Sequence, residues 1–542
     1  MGMAKAVLLV TSLSVLGTSA YIWPGPYDLL EDAYTVSGGF ADGGIVAGVQ
    51  PCSVSPFGFL PGRQAAAEWL RVAYHDMATY STETGLGGLD ASIGFETDRA
   101  QNIGTAMNTS LLFFGAFQSK TSSMADVIAL SVILAVKNCG GPSIPFRAGR
   151  IDAETSGPET VPEPQQDLAS HTASFALQGF NVTEMIGLVA CGHTIGGVHQ
   201  VDFPETVQNA ITPPNPEGMV HFDNSFDSFD NHIATQWIDG TSTDPLAVGF
   251  NGTTNSDARI FAADGNATMR AFARDNEYFT SQCGGLLERM LNTVPSTVQL
   301  SEVIEPLPVK PHQLMLSLSS NGSLVMSGYI RIFGDSDEAA SANAAAMLVK
   351  LSWKDRNDQS NTSYFTSAVA VSEPSSSLWG SVRFFQINSL IDAQSGISSF
   401  VIDWAFNNQE TLTHSDNGGS GFPFQDVALL QADKSCITPS SRPNPTTTVF
   451  AVIRMDMGPV SSAYIDYTSN VIQQGSIAVK QVTSRFPLAH VGNSSSPLYD
   501  TYNVSFPTGE NTNIGVITFD IVAVIAGKTY ASLNNPAIIT EC

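Results

Sequence analysis

Positive charge is what this chain has least of. Its 542 residues hold 24 Lys and Arg against 50 Asp and Glu, a formal net charge of −26. So acidic a surface repels nucleic acid and anionic membranes, and neither is expected as a partner. It argues for solubility and for acidic surroundings. Cysteine is scarce as well, at six, but the number is even and permits pairing in an oxidising compartment. Beyond the first twenty residues, no uninterrupted apolar run has the length that a membrane helix needs. Short-period repeats and low-complexity tracts are missing too.

What is present begins with residues 1–20, MGMAKAVLLVTSLSVLGTSA, where Lys5 precedes a short apolar run and a small-residue end. This is the pattern of a secretory signal peptide, cut near Tyr21. Asn-x-Ser/Thr sequons at Asn108, Asn181, Asn251, Asn266, Asn321, Asn361, Asn493 and Asn503 suit a glycoprotein. The expectation is a secreted, extracellular protein.

A chain of this length folds as about two to four domains. Residues 21–60 are rich in Gly and Pro and read as an extended lead-in. Helical patterning starts near Arg63 and returns at 103–118, 123–138, 164–178, 182–192 and 256–292. After Val294 the texture changes. QLMLSLSSNGSLVMSGYI (313–330) alternates and turns at Asn321-Gly322, a hairpin signal. Strand-like runs continue to the end, broken by PSSRPNPTTT at 439–448. We expect a mainly α domain over 21–300, a β-rich module over 301–438, a linker at 439–448 and a second β-rich module over 449–542, both sandwich-like. The β half shows no His, Cys or carboxylate cluster with ligand spacing. Its aromatics Trp353, Trp379, Trp404 and Tyr499 would stack on carbohydrate or cell wall if exposed, although burial is the commoner fate of such residues.

The densest chemistry lies in LRVAYHDM, residues 70–77. Arg71 and His75 are four apart, so a helix puts them on one face, with Cβ atoms roughly 6 Å apart. A permanent cation then sits beside a group that exchanges protons near neutral pH. Asp76 must face elsewhere. Asp90 and Ser92 follow in GGLDASIG (87–94). On these residues alone, a surface Arg, a satisfied core His and a polar loop is an equal reading. A second stretch, EMIGLVACGHTIGGVHQ (184–200), is an apolar helix ending at a Gly-flanked His193.

Taken in order, Arg-x-x-x-His-Asp, Gly-x-Asp-x-Ser, ADVIALSVILAVKNCGGPSIPFRAGRIDA (125–153) and Gly-His-Thr resemble the plant-type haem peroxidase superfamily. The order and spacing are most like the class II fungal secretory peroxidases, over about residues 25–300. The resemblance implies haem b as cofactor, with hydrogen peroxide and small phenolic-type donors as substrates. It makes His75 the base and Arg71 the charge stabiliser. Asn102, in AQNIG (100–104), would orient His75, and the Glu96 carboxylate would help hold Asn102. Tyr74 stands where the family commonly has Phe or Trp. His193 would ligate iron, with Asp257 of NSDARIFAAD (255–264) as its partner and Phe222 stacked nearby. Two Ca²⁺ ions are implied. One set is Asp76, Gly88 (carbonyl), Asp90 and Ser92; the other is Thr194, Asp223, Ser225, Ser228 (carbonyl) and Asp230.

Six cysteines allow fifteen connectivities. Cys139, in KNCGGP, matches a family disulfide position, and Cys52 is the expected substitute for its partner. Cys191–Cys283 and Cys436–Cys542 then follow by domain. Departures bear on the donor. The positions of the family's manganese carboxylates hold Gln64, Glu68 and His199, and the position of the lignin-peroxidase surface Trp holds Leu188. Neither specialised route is expected. Two other readings stand beside this one: a secreted wall-binding or adhesion glycoprotein with an inactive peroxidase-like domain, and a thiolate-ligated peroxygenase using Cys191. The two halves are expected to be separable, a chain ending near Val294 keeping haem, calcium and peroxide turnover.

Overall fold

The structure, a computed structural model, describes residues 21–55, 62–334, 347–405, 411–438, 445–507, 518–536, 538 and 540–542. The signal-like segment 1–20 and residues 439–444 of the expected linker lie outside the described residues.

The chain is multidomain, with a helical half followed by a β-rich half. Its α-helices are α1 Asp28–Thr35, α2 Ala65–Met77, α3 Ala106–Phe114, α4 Met124–Asn138, α5 Leu168–Leu177, α6 Val182–Gly192, α7 His232–Asp239, α8 Ser256–Phe261, α9 Ala267–Arg274 and α10 Asn276–Asn292. Capping explains several starts. Ser123 accepts the Asp126 N–H at the head of α4, and Asn181 and Glu184 form a capping box on α6. Residues 124–136 of α4 are all buried, as expected for a helix apolar on nearly every side. It is the post against which α2 packs. The expected helix over 256–292 is instead three, because Gly265 and Asn266 take left-handed conformations between α8 and α9 and Asp275 is extended between α9 and α10.

Two pairs of antiparallel sheets follow. In the first pair, strands 309–318, 324–334, 381–391 and 369–370 face strands 348–354, 360–367, 399–405 and 413–415 across a core that includes Met326, Phe385, Leu351 and Phe400. The Asn321-Gly322 turn lies where the sequence puts it, with Gly322 at φ +85°. In the second pair, strands 428–430, 446–454, 499–507 and 489–493 face strands 460–472, 479–487, 518–525 and 528–536 over Val449, Ile465, Phe506 and Ile521. Disulfides join Cys52–Cys139, Cys191–Cys283 and Cys436–Cys542.

The seams between units differ from the sequence-based division. Ser301 and Ile304 still bond to the backbone of Ala148 and Phe146, so the helical half extends past residue 300. Strand 428–430 pairs with strand 446–454, so the second sheet pair begins ahead of the expected linker, and Thr446–Thr448 are already strand. Trp353, Trp404 and Tyr499 are buried, and Trp379 packs on Tyr34 and donates to its carbonyl, so none is a free sugar platform.

The lead-in is not merely extended, since it contains α1. Three of its carboxylates, on Asp28, Glu31 and Asp32, meet Lys310 and Arg331 of the first sheet pair. Lys310 Nζ lies 2.9 Å from Glu31 and 3.1 Å from Asp32, and Arg331 Nη1 lies 2.8 Å from Asp32. Burial alone would raise the carboxyls of Glu31 and Asp32, but Lys310 and Arg331, joined at Asp32 by His312, outweigh it and hold both below the ordinary range. A chain ending near Val294 would lose Ile304 from the helical core and leave the α1 carboxylates without Lys310 and Arg331. Breaking a buried ion cluster on one side strands the other. Glu31→Ala is expected to destabilise the protein by about 3–5 kcal/mol in denaturant or thermal unfolding. Because the carboxyls are depressed, the contribution is full above the ordinary carboxylate range and is lost on acidification. A loss below about 1 kcal/mol, the range of an exposed pair, would contradict this.

Candidate active site

A cavity of about 590 Å³ opens between α2 and α6, with His75 and Arg71 lining one side and His193 and Phe222 the other. The i, i+4 spacing on α2 puts Arg71 and His75 into it together. Asp76 turns the other way and is fully buried.

His75 Nδ1 lies 2.7 Å from Asn102 Oδ1, and Asn102 Nδ2 donates to the Glu96 carbonyl at 2.9 Å. The amide oxygen can only accept, so Nδ1 carries the proton and Nε2 is left as an acceptor for the cavity. Glu96 therefore holds Asn102 through its main chain and not, as expected, through its carboxylate, which accepts from Gly157 N at 2.7 Å and pairs with Arg99. Burial, and then the Arg71 charge, push His75 down to about 3. Arg71 Nη2 donates to the carbonyls of Gln101 and Ile103, and its guanidinium lies 5.3 Å from the centre of the Phe203 ring. Tyr74 meets His75 edge-on and stacks on Phe175; burial pushes its phenol up.

On the other face, α6 ends at Gly192 and presents His193. Its Nδ1 lies 2.6 Å from Asp257 Oδ2, leaving Nε2 for the cavity. Asp257 sits in the first turn of α8, where Ser256 Oγ donates to its other oxygen at 3.1 Å. Phe222 stacks on His193 at 4.2 Å between ring centres and 12° between planes. Asp244 is a neighbour that the sequence did not signal. Burial, and then the Asp257 charge, hold its carboxyl well above the usual range. It belongs to no short motif, and only the fold brings it there.

The expected oxygen-rich loops assemble as well. Asp76 accepts N–H bonds from Asp90 (3.0 Å), Ala91 (2.7 Å) and Ile93 (2.9 Å), and Ser92 Oγ lies 3.4 Å from it. Gly88 lies on the same turn, at φ +107°. Ser225 Oγ lies 3.4 Å from Asp223 and 2.9 Å from Asp230, Thr194 Oγ1 accepts from Asp230 N at 3.2 Å, and Ser228 N donates to Ser225 O. Burial pushes Asp223 up to about 7, helped by the charge of Asp230.

At the cavity mouth stands a cation that the sequence did not flag. Arg63 is buried between Asp202 (2.7 Å), Glu217 (3.0 Å) and Glu68 (3.6 Å), with its Nη1 3.4 Å from His199 Nδ1. Gln64 turns away to the Phe226 carbonyl, and Leu188 is buried. Cys191 is consumed in its disulfide and cannot supply a thiolate.

Residues 58–279 match the family model described as Peroxidase, that of the plant-type haem peroxidase superfamily. The C-terminal half lies outside the match. A WSC domain-containing protein of Arthroderma benhamiae is 39% identical over 401 residues, covering 72% of this chain and 54% of that protein. That alignment is longer than the helical half, so it takes in part of the β-rich half too. The peroxisomal L-ascorbate peroxidase 5 of Arabidopsis thaliana is 28% identical over 31% of this chain and 58% of its own. The mitochondrial cytochrome c peroxidase of Emericella nidulans is 32% identical over 24% of this chain and 37% of its own. The chain thus spans about half the length of the curated relatives it matches.

Proposed function

We propose that the protein is a secreted haem peroxidase that reduces hydrogen peroxide and oxidises small phenolic-type donors at the haem edge. One observation carries the reading: two imidazoles face each other across a single cavity, His75 fixed by Asn102 and His193 by Asp257. The residues present fit haem b. The cavity walls include apolar groups such as Leu70, Ile195 and Val198, and each imidazole keeps its Nε2 for the interior. Haem, when bound, supplies the iron at which the peroxide O–O bond is cleaved.

His193 would hold the iron, made a stronger donor by Asp257. Neutral His75 accepts a proton from peroxide at Nε2 and returns it to the departing oxygen, so that water leaves. Arg71 stabilises the negative charge that builds on that oxygen. Two Ca²⁺ ions fit the loops beside both histidines. Asp76 and Asp90 are buried with like charges facing each other, Asp223 Oδ2 is buried without a partner, and every offered donor is oxygen. Among the described residues no three His, Cys, Asp or Glu side chains converge on a metal site, so hydroxyl and carbonyl oxygens would complete each set. These loops support the class II likeness. The signal-like residues 1–20, the sequons and three disulfides support secretion. An inactive wall-binding protein is the less favoured reading, because the constellation is complete and the β-half aromatics are packed away.

His75→Ala is expected to slow the reaction with peroxide by ~10²–10⁴ in stopped flow, with haem retained. In the parent, the neutral base persists down to about pH 3, and the rate falls as pH drops through that value. A variant that reacts at the parental rate would refute the role. For Asp257→Asn, we expect a raised iron reduction potential by spectroelectrochemistry, since an amide leaves His193 the weaker donor; an unchanged potential would reassign the partner. Manganese(II) should not saturate as a donor, because the Arg63 guanidinium occupies the carboxylate-lined mouth. Saturable Mn(II) oxidation would contradict that.

A further inference from the structure

The turn that fixes His75 is gripped from two sides. Inside, Asp76 holds the amides of residues 90, 91 and 93. Three residues after Ile93, the Glu96 carbonyl takes the Asn102 amide that orients His75. Outside, the grip comes from the β-rich half. Strands 460–472 and 479–487 form a hairpin whose tip, residues 473–478, rests on this turn. Ile477 N donates to the Gly94 carbonyl at 2.9 Å, and Ala478 is buried with the core of the helical half.

Gly94 shows how close this seat is. A Cβ there would come within 2.7 Å of Ser476 Oγ and 2.8 Å of Ala478 Cβ. Its φ is not in the left-handed region, so the backbone does not itself require glycine at this position. The hairpin does. Further contacts keep the tip in register: Asn470 Nδ2 donates to the Gly115 carbonyl at 2.8 Å, Lys480 Nζ lies 2.7 Å from Glu154, and Lys120 pairs with Asp520.

We propose that the 473–478 tip is a positioning element of the distal site, holding the 93–96 turn so that Glu96 and Asn102 keep His75 in its reactive tautomer and orientation. This rests on the reading of His75 as the peroxide base. It would make the β-rich half part of the catalytic unit, with Gly94, Ile477 and Ala478 as positioning residues remote from the reacting atoms.

The test uses full-length, haem-loaded protein. Gly94→Ala wedges the tip away, and we expect its reaction with peroxide to slow at least about tenfold, a share of the ~10²–10⁴ that a positioned base supplies. Binding of HCN, which must give up its proton to bind as cyanide, should slow in parallel, while haem content stays unchanged. Adding Ala478→Gly to Gly94→Ala reopens the space and should restore the parental rate. A second variant leaves every residue of the helical half intact. Ile472 pairs directly with Val479, so replacing 473–478 by Asn-Gly closes the hairpin with a two-residue turn and should slow both reactions likewise. A shortened hairpin that keeps haem and reacts at the parental rate overturns the inference. So does loss of haem in place of loss of rate, which would make the hairpin a folding element only. A parent protein that binds haem yet ignores peroxide overturns instead the function proposed above.

Discussion

One hydrogen bond on each of two imidazoles decides what this cavity can do. Asn102 can offer His75 only an acceptor oxygen, so the proton is pinned on Nδ1 and Nε2 is left as a base. Asp257 pins His193 the same way, but with a carboxylate, which pushes electron density towards Nε2 instead of merely orienting it. In the proposed function the same ring thus serves as a proton acceptor on one side and a ligand on the other. Arg71 and burial keep His75 neutral, since a protonated imidazole could not receive a proton from peroxide. Asp244 extends the asymmetry, since burial and the neighbouring Asp257 hold its carboxyl well above the usual range beside the carboxylate that bonds His193.

Keeping those bonds requires a stiff surround, and the protein draws it from the whole chain. The Cys191–Cys283 bridge ties α6 to α10 just before His193, and the α1 carboxylates meet buried cations from the first sheet pair. A buried charge cluster is a costly way to gain stability, because desolvation consumes much of the Coulomb attraction. It is an effective way to specify one docking of two units, since any other arrangement strands a charge. At the opposite seam the hairpin tip makes its contact with backbone and small side chains, Gly94 and Gly115 giving it room, and the Lys480–Glu154 and Lys120–Asp520 pairs flank it. Four cations, Lys120, Lys310, Arg331 and Lys480, reach across these seams.

Much of the site was legible because it is encoded locally. Arg71 and His75 share a face by helical spacing alone, and the two-periodic runs after residue 309 become sheets. The likeness to a known family then supplied His193 and Asp257, which the structure brings to the same cavity, and Asn102, which it puts against His75. What escaped is non-local. Glu31 and Asp32 meet cations nearly three hundred residues away, so a Gly- and Pro-rich stretch gave no hint of a buried helix. Arg63 passed as a helix-start residue until Asp202 and Glu217 closed around it, and the work of Glu96 moved from carboxylate to carbonyl because only the turn geometry distinguishes them. The seam ahead of residue 428 was invisible because strand pairing, not composition, defines it.

The central claim is that this chain binds haem through His193 and turns it towards peroxide with His75. The most direct measurement is a haem titration of the purified full-length protein followed in the Soret band, with one equivalent of hydrogen peroxide then added. The account predicts uptake of one haem per chain, a ferrous–CO spectrum characteristic of imidazole ligation, and an immediate Soret change on adding peroxide that a phenolic donor reverses. Absence of haem uptake, a thiolate-type ferrous–CO band, or a bound haem that peroxide leaves unchanged would contradict it.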